Sequence, residues 1–290
     1  MLLVVGATGN IGRHLVPLLV GEGRKVRVVT RDATRASLWD ADVSSSLDVV
    51  EGDIEDPAVL AAAVDGVERA FITLPGPPAQ VTQETGVVRA AARAGVQHVV
   101  KVSVIGPAAD HPVPYARYQA QIESALAATG IATTILRPNW FAENFFGSAP
   151  TITGQGAVYG SAGAGRVAFV DSRDTAAVAA HVLTGTGHEG REYIVTGPKA
   201  LTFAEAADQL AEGLGRPVEY VDLDDETFAG ALTGAGLPAD VAEAVISIMG
   251  NARRGALAEV TSTVPDLLGR PARSLAQWAA DNAAAFPARA

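Results

Sequence analysis

Gly6-Ala-Thr-Gly9-Asn-Ile-Gly12 follows a short apolar run, Leu2–Val5, without a spacer, and a helical pattern begins at once. Glycines at this spacing let the backbone turn tightly and approach a pyrophosphate, which then rests on the amides that open a helix. The motif needs a strand before it and a helix after it to bind a dinucleotide, and both are present. A second chemical position follows at Thr30-Arg31-Asp32, with Arg35 one helical turn on. An acidic side chain there takes a ribose 2′-hydroxyl, whereas arginine accommodates a 2′-phosphate. Arg31, helped by Arg35, favours NADP; two solvated arginines beside Asp32 are the plainer alternative.

Two further segments suit the same ligand. Asp53 either reaches an adenine amino group, with Ile54 packed on the ring, or caps the helix that starts near Pro57. Leu74 and Pro75 close a strand beside which a cofactor ribose would lie, although a proline followed by glycine also suits an ordinary loop.

The elements that must position these residues alternate. Strand patterns cover 2–5, 25–30, 47–51, 69–74, 97–103 and 131–136, and helical spacing covers 14–21, 57–64, 81–94 and 115–129. Strands separated by helix-length crossovers predict an α/β fold, a doubly wound parallel sheet (Rossmann) that binds ligands at the carboxyl ends of its strands. After Asn139 the pattern changes. Residues 140–165 are rich in glycine and aromatics and show little periodicity, whereas 175–183 and 203–214 read as helices and 192–195 and 218–221 as strands. Thr202 and Glu205 have capping-box spacing. The expected division is a cofactor domain of 1–139 with about 167–197, interleaved with a smaller C-terminal substrate lobe of about 140–166 with 198–290.

Composition narrows the function. The 290 residues carry a net charge of −10, which argues against nucleic-acid binding. Cysteine is absent, so no disulfide, thiolate metal site or cysteine nucleophile is available. No apolar run approaches a membrane span, and the first strand starts at residue 2, so a cytoplasmic protein without a leader is expected. His14, His98, His181 and His188 are scattered without metal-ligand spacing, and no hydrolase or metalloprotease signature occurs. The amphipathic helices over 81–94 and 115–129 suit subunit pairing and sheet covering alike, which leaves the oligomeric state open.

Gly6–Gly12, Thr30-Arg31, Gly52-Asp53, Lys101-Val-Ser103 and Leu136-Arg-Pro-Asn-Trp-Phe-Ala-Glu-Asn144 together resemble the NmrA-like group of atypical short-chain dehydrogenases. Gly190–Pro198 and Gly215–Val218 extend the resemblance, which covers roughly residues 1–222. That group includes NAD(P)H-dependent quinone and enone reductases alongside non-catalytic redox-sensing regulators. The resemblance implies that Gly6, Thr8, Gly9, Asn10 and Ile11 cradle the pyrophosphate. It also implies that the loop bearing Asn139, Trp140, Phe141 and Asn144 borders the nicotinamide. Arg173 falls where some relatives place a cofactor-side arginine, an ion pair with Asp171 or Asp174 being the structural alternative. Asp174 itself reads as a helix cap.

One departure constrains the chemistry. Ordinary short-chain dehydrogenases protonate a carbonyl with a tyrosine whose pKa is lowered by a lysine four residues later. Here Tyr115 is followed at that distance by Gln119 and Tyr118 by Ile122, and the chain has only three lysines, Lys25, Lys101 and Lys199. Ser103 keeps a serine at the end of the fifth strand, but Val104 follows it. Hydride transfer to a simple ketone builds an alkoxide that needs an acid or an oxyanion hole. A quinone instead gives a delocalised phenolate with a pKa near ~10, and an enone spreads charge as an enolate. The expected reaction is therefore NADPH-dependent reduction of a small apolar conjugated substrate such as a quinone. Its catalytic residue is not identified: Tyr115, Tyr118 and His111 are candidate substitute acids, with packing or solvent exposure the plainer reading of each. Aromatics at 140, 141, 145, 146 and 159 either line a flat apolar pocket or pack a core. Two other readings are an NAD(P)-sensing regulator, favoured by the missing Tyr/Lys pair, and a specialised-metabolite reductase or isomerase.

Overall fold

The computed structural model describes residues 1–76 and 79–287. The chain divides into two compact units. One comprises Met1–His111, Tyr115–Pro138 and Ser172–Ile194, and the other Pro112–Pro114, Asn139–Asp171 and Val195–Ala290.

The first unit opens with β1 (Leu2–Val5), α1 (Gly12–Gly21), β2 (Val26–Thr30), α2 (Ala41–Ser45), β3 (Leu47–Glu51) and α3 (Pro57–Val64). It continues with β4 (Arg69–Ile72), α4 (Gln80–Ala94), β5 (His98–Val102), α5 (Pro114–Ala127) and β6 (Ala132–Pro138). After an excursion through α6 (Ala149–Gln155), β7 (Ala157–Gly160) and β8 (Arg166–Val167), it resumes at α7 (Ser172–Thr184) and β9 (Glu192–Val195).

Seven strands form one sheet in the order β3-β2-β1-β4-β5-β6-β9. Every pairing from β3 to β6 is parallel. Such a sheet is covered on both faces, which explains why β1 and β5 are buried throughout. One face packs Leu3, Val5, Ile72 and Val99 against Val64 of α3, Val87 and Val88 of α4 and Leu126 of α5. The other carries α1 and α7. Strand order reverses between β1 and β4, and such a reversal opens a crevice at the carboxyl ends of the two strands.

The histidines are less scattered than their spacing suggests. His98 Nε2 lies 2.8 Å from Thr134 Oγ1, and that hydroxyl donates to the His188 carbonyl. His188 Nδ1 meets Tyr193 OH at 2.8 Å, and the rings of His181 and His188 stand edge-on. Burial first, then neighbouring cations, holds His98 below the ordinary histidine range, so it packs as a neutral ring. Among the described residues no group of three or more His, Asp or Glu could hold a metal.

The second unit adds β10 (Leu201–Thr202), α8 (Phe203–Leu214), β11 (Glu219–Asp222), α9 (Asp225–Gly234), α10 (Ala239–Arg253), α11 (Thr263–Leu268) and α12 (Leu275–Asp281). Thr202 and Glu205 form the expected capping box on α8, and Ser274 with Gln277 forms another on α12. β11 pairs in parallel with β7, and β10 pairs antiparallel with β8. Residues 140–165, which show little periodicity in the sequence, thus contain a 3₁₀ segment over Ala142–Ser148, α6 and β7. Two other expectations change. α7 starts at Ser172, which places Asp174 buried inside the first turn rather than at its cap. Asp56, whose side chain accepts from Ala58 N, caps α3 in place of Asp53. Among the described residues no helix is long and apolar enough to cross a membrane.

Candidate cofactor site

The glycines after β1 do three different jobs. Gly6 has φ +84°, a left-handed conformation that favours glycine, and a Cβ there would stand 1.8 Å from Thr73 O. It lets the exits of β1 and β4 run side by side, where Thr73 N donates to Val5 O. A Cβ on Gly12 would meet Gly6 O at 2.2 Å and Ala7 Cα at 2.6 Å, so this glycine seats α1 on the loop. Gly9 is exposed, and a Cβ on it would meet only Gly6 O, at 3.3 Å. The protein does not fill the space over Gly9, as close approach of a phosphate requires. Ile11 at the N-cap of α1 supplies no side-chain cap, and the first turn carries no acid to repel an anion. Thr8 is half-buried and Asn10 exposed on the same loop.

At the exit of β2, Arg31 is exposed and makes no hydrogen bond or ion pair among the described residues. Asp32 next to it is committed elsewhere. Its Oδ1 accepts from Thr34 N at 2.9 Å and Thr34 Oγ1 at 2.5 Å, closing the turn into a 3₁₀ segment over Ala33–Leu38. The Thr34 bonds hold this carboxyl below its usual range. Arg35, also exposed, follows in that turn. Gly52 N donates to Thr30 O, which sets Asp53 beside the β2 exit. Asp53 is exposed and its Oδ1 accepts from Glu55 N, whereas the Ile54 side chain is buried in the sheet-face core. Ile54 therefore has little side chain to lay on a ring.

The exits of β4 and β5 hold what the sequence reading missed. Lys101, on β5, is fully buried, with Nζ 2.9 Å from Glu84 Oε2 of α4 and 2.8 Å from Gln119 Oε1 of α5. Burial pulls this ammonium below the ordinary lysine range, against the attraction of Glu84 and Glu123. A lysine inside the apolar run Val99-Val100-Lys101-Val102, on a strand buried on both faces, was the available signal. Glu84 Oε1 accepts from Leu74 N at 2.8 Å, so the loop of Leu74 and exposed Pro75 is tied to the same buried pair. Ser103 is buried too, its hydroxyl donating to Glu123 and accepting from Arg137 at 3.3 Å. Arg137 also holds Glu123 and Glu192, so Ser103 belongs to an ionic cluster. Tyr115 and Tyr118 are half-buried on α5. His111 lies in the loop before that helix, half-buried.

The loop bearing Asn139, Trp140, Phe141 and Asn144 belongs to the second unit. Asn139 is buried, its Nδ2 donating to Leu257 O and its Oδ1 accepting from Trp140 N. Trp140 lies edge-on to Phe169 and Phe203, with centroids 6.5 and 5.7 Å away. Phe141 bridges to Val170, and Asn144 is exposed. Phe145, Phe169, Phe203 and Trp278 are buried against one another, while Phe146 packs on Trp278 and Phe286. Most of the aromatic cluster is thus the core of its own unit rather than the lining of a pocket. Arg173 stands half-buried in the first turn of α7, within the first unit.

Known proteins match this chain along nearly its whole length. NAD(P)H azoreductase of Xenophilus azovorans is 39% identical over 288 residues, covering 99% of this chain and 100% of that protein. The (4-alkanoyl-5-oxo-2,5-dihydrofuran-3-yl)methyl phosphate reductase of Streptomyces griseus is 40% identical over 289 residues, 99% of either chain. The crystal structure of an NADPH-dependent quinone oxidoreductase of Escherichia coli, complexed with NADPH, superposes with a TM-score of 0.88 at 30% identity, covering 97% of this chain and 99% of that one. The family model described as NmrA-like matches residues 1–258. A match of that reach takes in the glycine loop, both arginine-bearing turns and most of the second unit, and the chain belongs to the NmrA-like family.

Proposed function

We propose that this protein is an NADPH-dependent oxidoreductase that reduces a quinone or another flat, apolar, conjugated acceptor. The three relatives compared above, each 30–40% identical over nearly the full length, are named as reductases or as an oxidoreductase, which favours an enzyme over a purely sensing role. When bound, NADPH supplies the hydride. The chain's own part begins at Gly9, whose bare Cα admits the pyrophosphate to the start of α1. Asp53 at the β3 exit is placed for the adenine end, and Leu74 and Pro75 for the ribose nearer the reaction. Asn139, Trp140, Phe141 and Asn144 are proposed for the nicotinamide end, with Asn139 acting through the backbone it fixes.

The single observation that carries the cofactor choice is at the β2 exit. Arg31 is exposed without a partner among the described residues, while Asp32, the acid that would select a 2′-hydroxyl, is bound by Thr34. A guanidinium fits a 2′-phosphate with paired donors. Arg31→Asp is expected to weaken NADPH binding by about 10–100-fold, as loss of a charged hydrogen bond does, and to leave NADH binding within a few-fold. Calorimetric titration with both cofactors checks this. An unchanged preference for NADPH contradicts the assignment.

A further inference from the structure

No lysine stands four residues after Tyr115, yet the fold brings one to the residue that does. Gln119 occupies that position on α5, and its Oε1 accepts from Lys101 Nζ of β5 at 2.8 Å. Lys101 pairs with Glu84, and Glu84 Oε1 lies 3.3 Å from Gln80 Nε2. Gln80 in turn donates to Leu74 O at 3.0 Å and to Tyr115 OH at 3.4 Å. Five side chains from α4, β5 and α5 therefore form a chain of contacts past the exit of β4. Gln80, Glu84, Lys101 and Gln119 are each no more than 1% exposed. The Tyr115 ring also flanks that exit loop, since a Cβ on Gly76 would lie 3.6 Å from its Cε2.

We infer that this chain of contacts, through Gln80, positions Tyr115 as a hydrogen-bond donor to the acceptor atom that gains negative charge during reduction. The inference rests on the reductase reading above. Its physical basis is the direction of the bonds. Tyr115 OH accepts from the Gln80 amide, which leaves the phenolic proton to be given away. A neutral amide holding the oxygen does not compete for that proton, as a carboxylate would. Lys101 is not positioned to lower the tyrosine's pKa directly, because its charge is met by Glu84. Burial, opposed by the Gln80 bond and reinforced by Glu84, in fact keeps Tyr115 above the ordinary tyrosine range. The hydroxyl is thus a fixed donor rather than a base. A donor fixed in advance stabilises developing charge without reorganisation. Tyr115 is the group proposed to touch the acceptor; Gln80, Glu84, Lys101 and Gln119 are positioning residues.

The test uses substituted phenolates as stand-ins for the reduced, charged acceptor, titrated calorimetrically into the NADP⁺-loaded protein. Affinity is expected to rise with phenolate basicity in the wild type. In Tyr115→Phe it is expected to fall by about 10–100-fold for the most basic phenolates and to lose that trend, with NADP⁺ affinity unchanged. Gln80→Leu, which keeps the hydroxyl but frees it, is expected to flatten the same trend in part. A purely structural tyrosine would leave the slope alone. The inference is overturned if Tyr115→Phe keeps the wild-type slope, or if the wild-type protein binds no phenolate. Phenolate binding with the expected slope but no turnover of any quinone would sink the reductase reading instead.

Discussion

Lys101→Met is expected to destabilise the protein by about 3–5 kcal/mol, read as a lower urea midpoint at unchanged slope. The cost comes less from the lost attraction than from what remains. Glu84 is completely buried, and without Lys101 its carboxylate keeps only Leu74 N and Gln80 Nε2 as partners in a medium that penalises charge. Removing both members should behave differently. Lys101→Met with Glu84→Leu removes both charges and leaves only neutral groups (Gln80, Gln119 and the Leu74 amide) at the site, and replacement of a buried ion pair by packed apolar groups is often close to neutral. Most of the lost stability should therefore return in the double variant. If the double variant is as unstable as the two single losses added together, the pair is not coupled as the 2.9 Å contact implies.

The second large effect separates two glycines three residues apart. Gly12→Ala drives a methyl into backbone atoms at 2.2 and 2.6 Å, which neither α1 nor the loop can vacate cheaply. A loss of about 1–3 kcal/mol in folding stability is expected, measured by chemical unfolding without ligand. Gly9→Ala meets only one oxygen at 3.3 Å and has no strained φ, so its stability should change by under about 1 kcal/mol. Its methyl instead stands where a pyrophosphate must come close. NADPH affinity should fall more than about tenfold, or 1.4 kcal/mol, in a protein that still folds. A Gly9→Ala protein that binds NADPH normally would show that the cradle is not where the phosphates lie.

Much of the regular structure was legible because its signals are local. β1 with its glycine loop, the alternation through β6 and the capping box on α8 depend on neighbours in sequence, and each lies within a few residues of its expected place. The role proposed for Arg31 rests on signals just as local, since the turn that occupies Asp32 depends on Thr34 two residues on. The buried Lys101–Glu84 pair could not be read from spacing, since it joins β5 to α4, a separate element earlier in the chain. Nor could the segment over 140–165. β7 finds its partner in β11, some sixty residues later, and Phe145 finds Trp278 near the C-terminal end. Non-local pairing leaves no period in the sequence. The aromatic residues announced burial, but composition does not distinguish a pocket from a core.

The most direct measurement is the rate of NADPH oxidation, followed by absorbance, with a simple naphthoquinone as acceptor and the uncatalysed rate subtracted. Turnover above that background, lower with NADH at equal subsaturating concentration and reduced by Gly9→Ala, is the predicted result. A protein that binds neither NADPH nor NADH in a parallel calorimetric titration would contradict the account at its root.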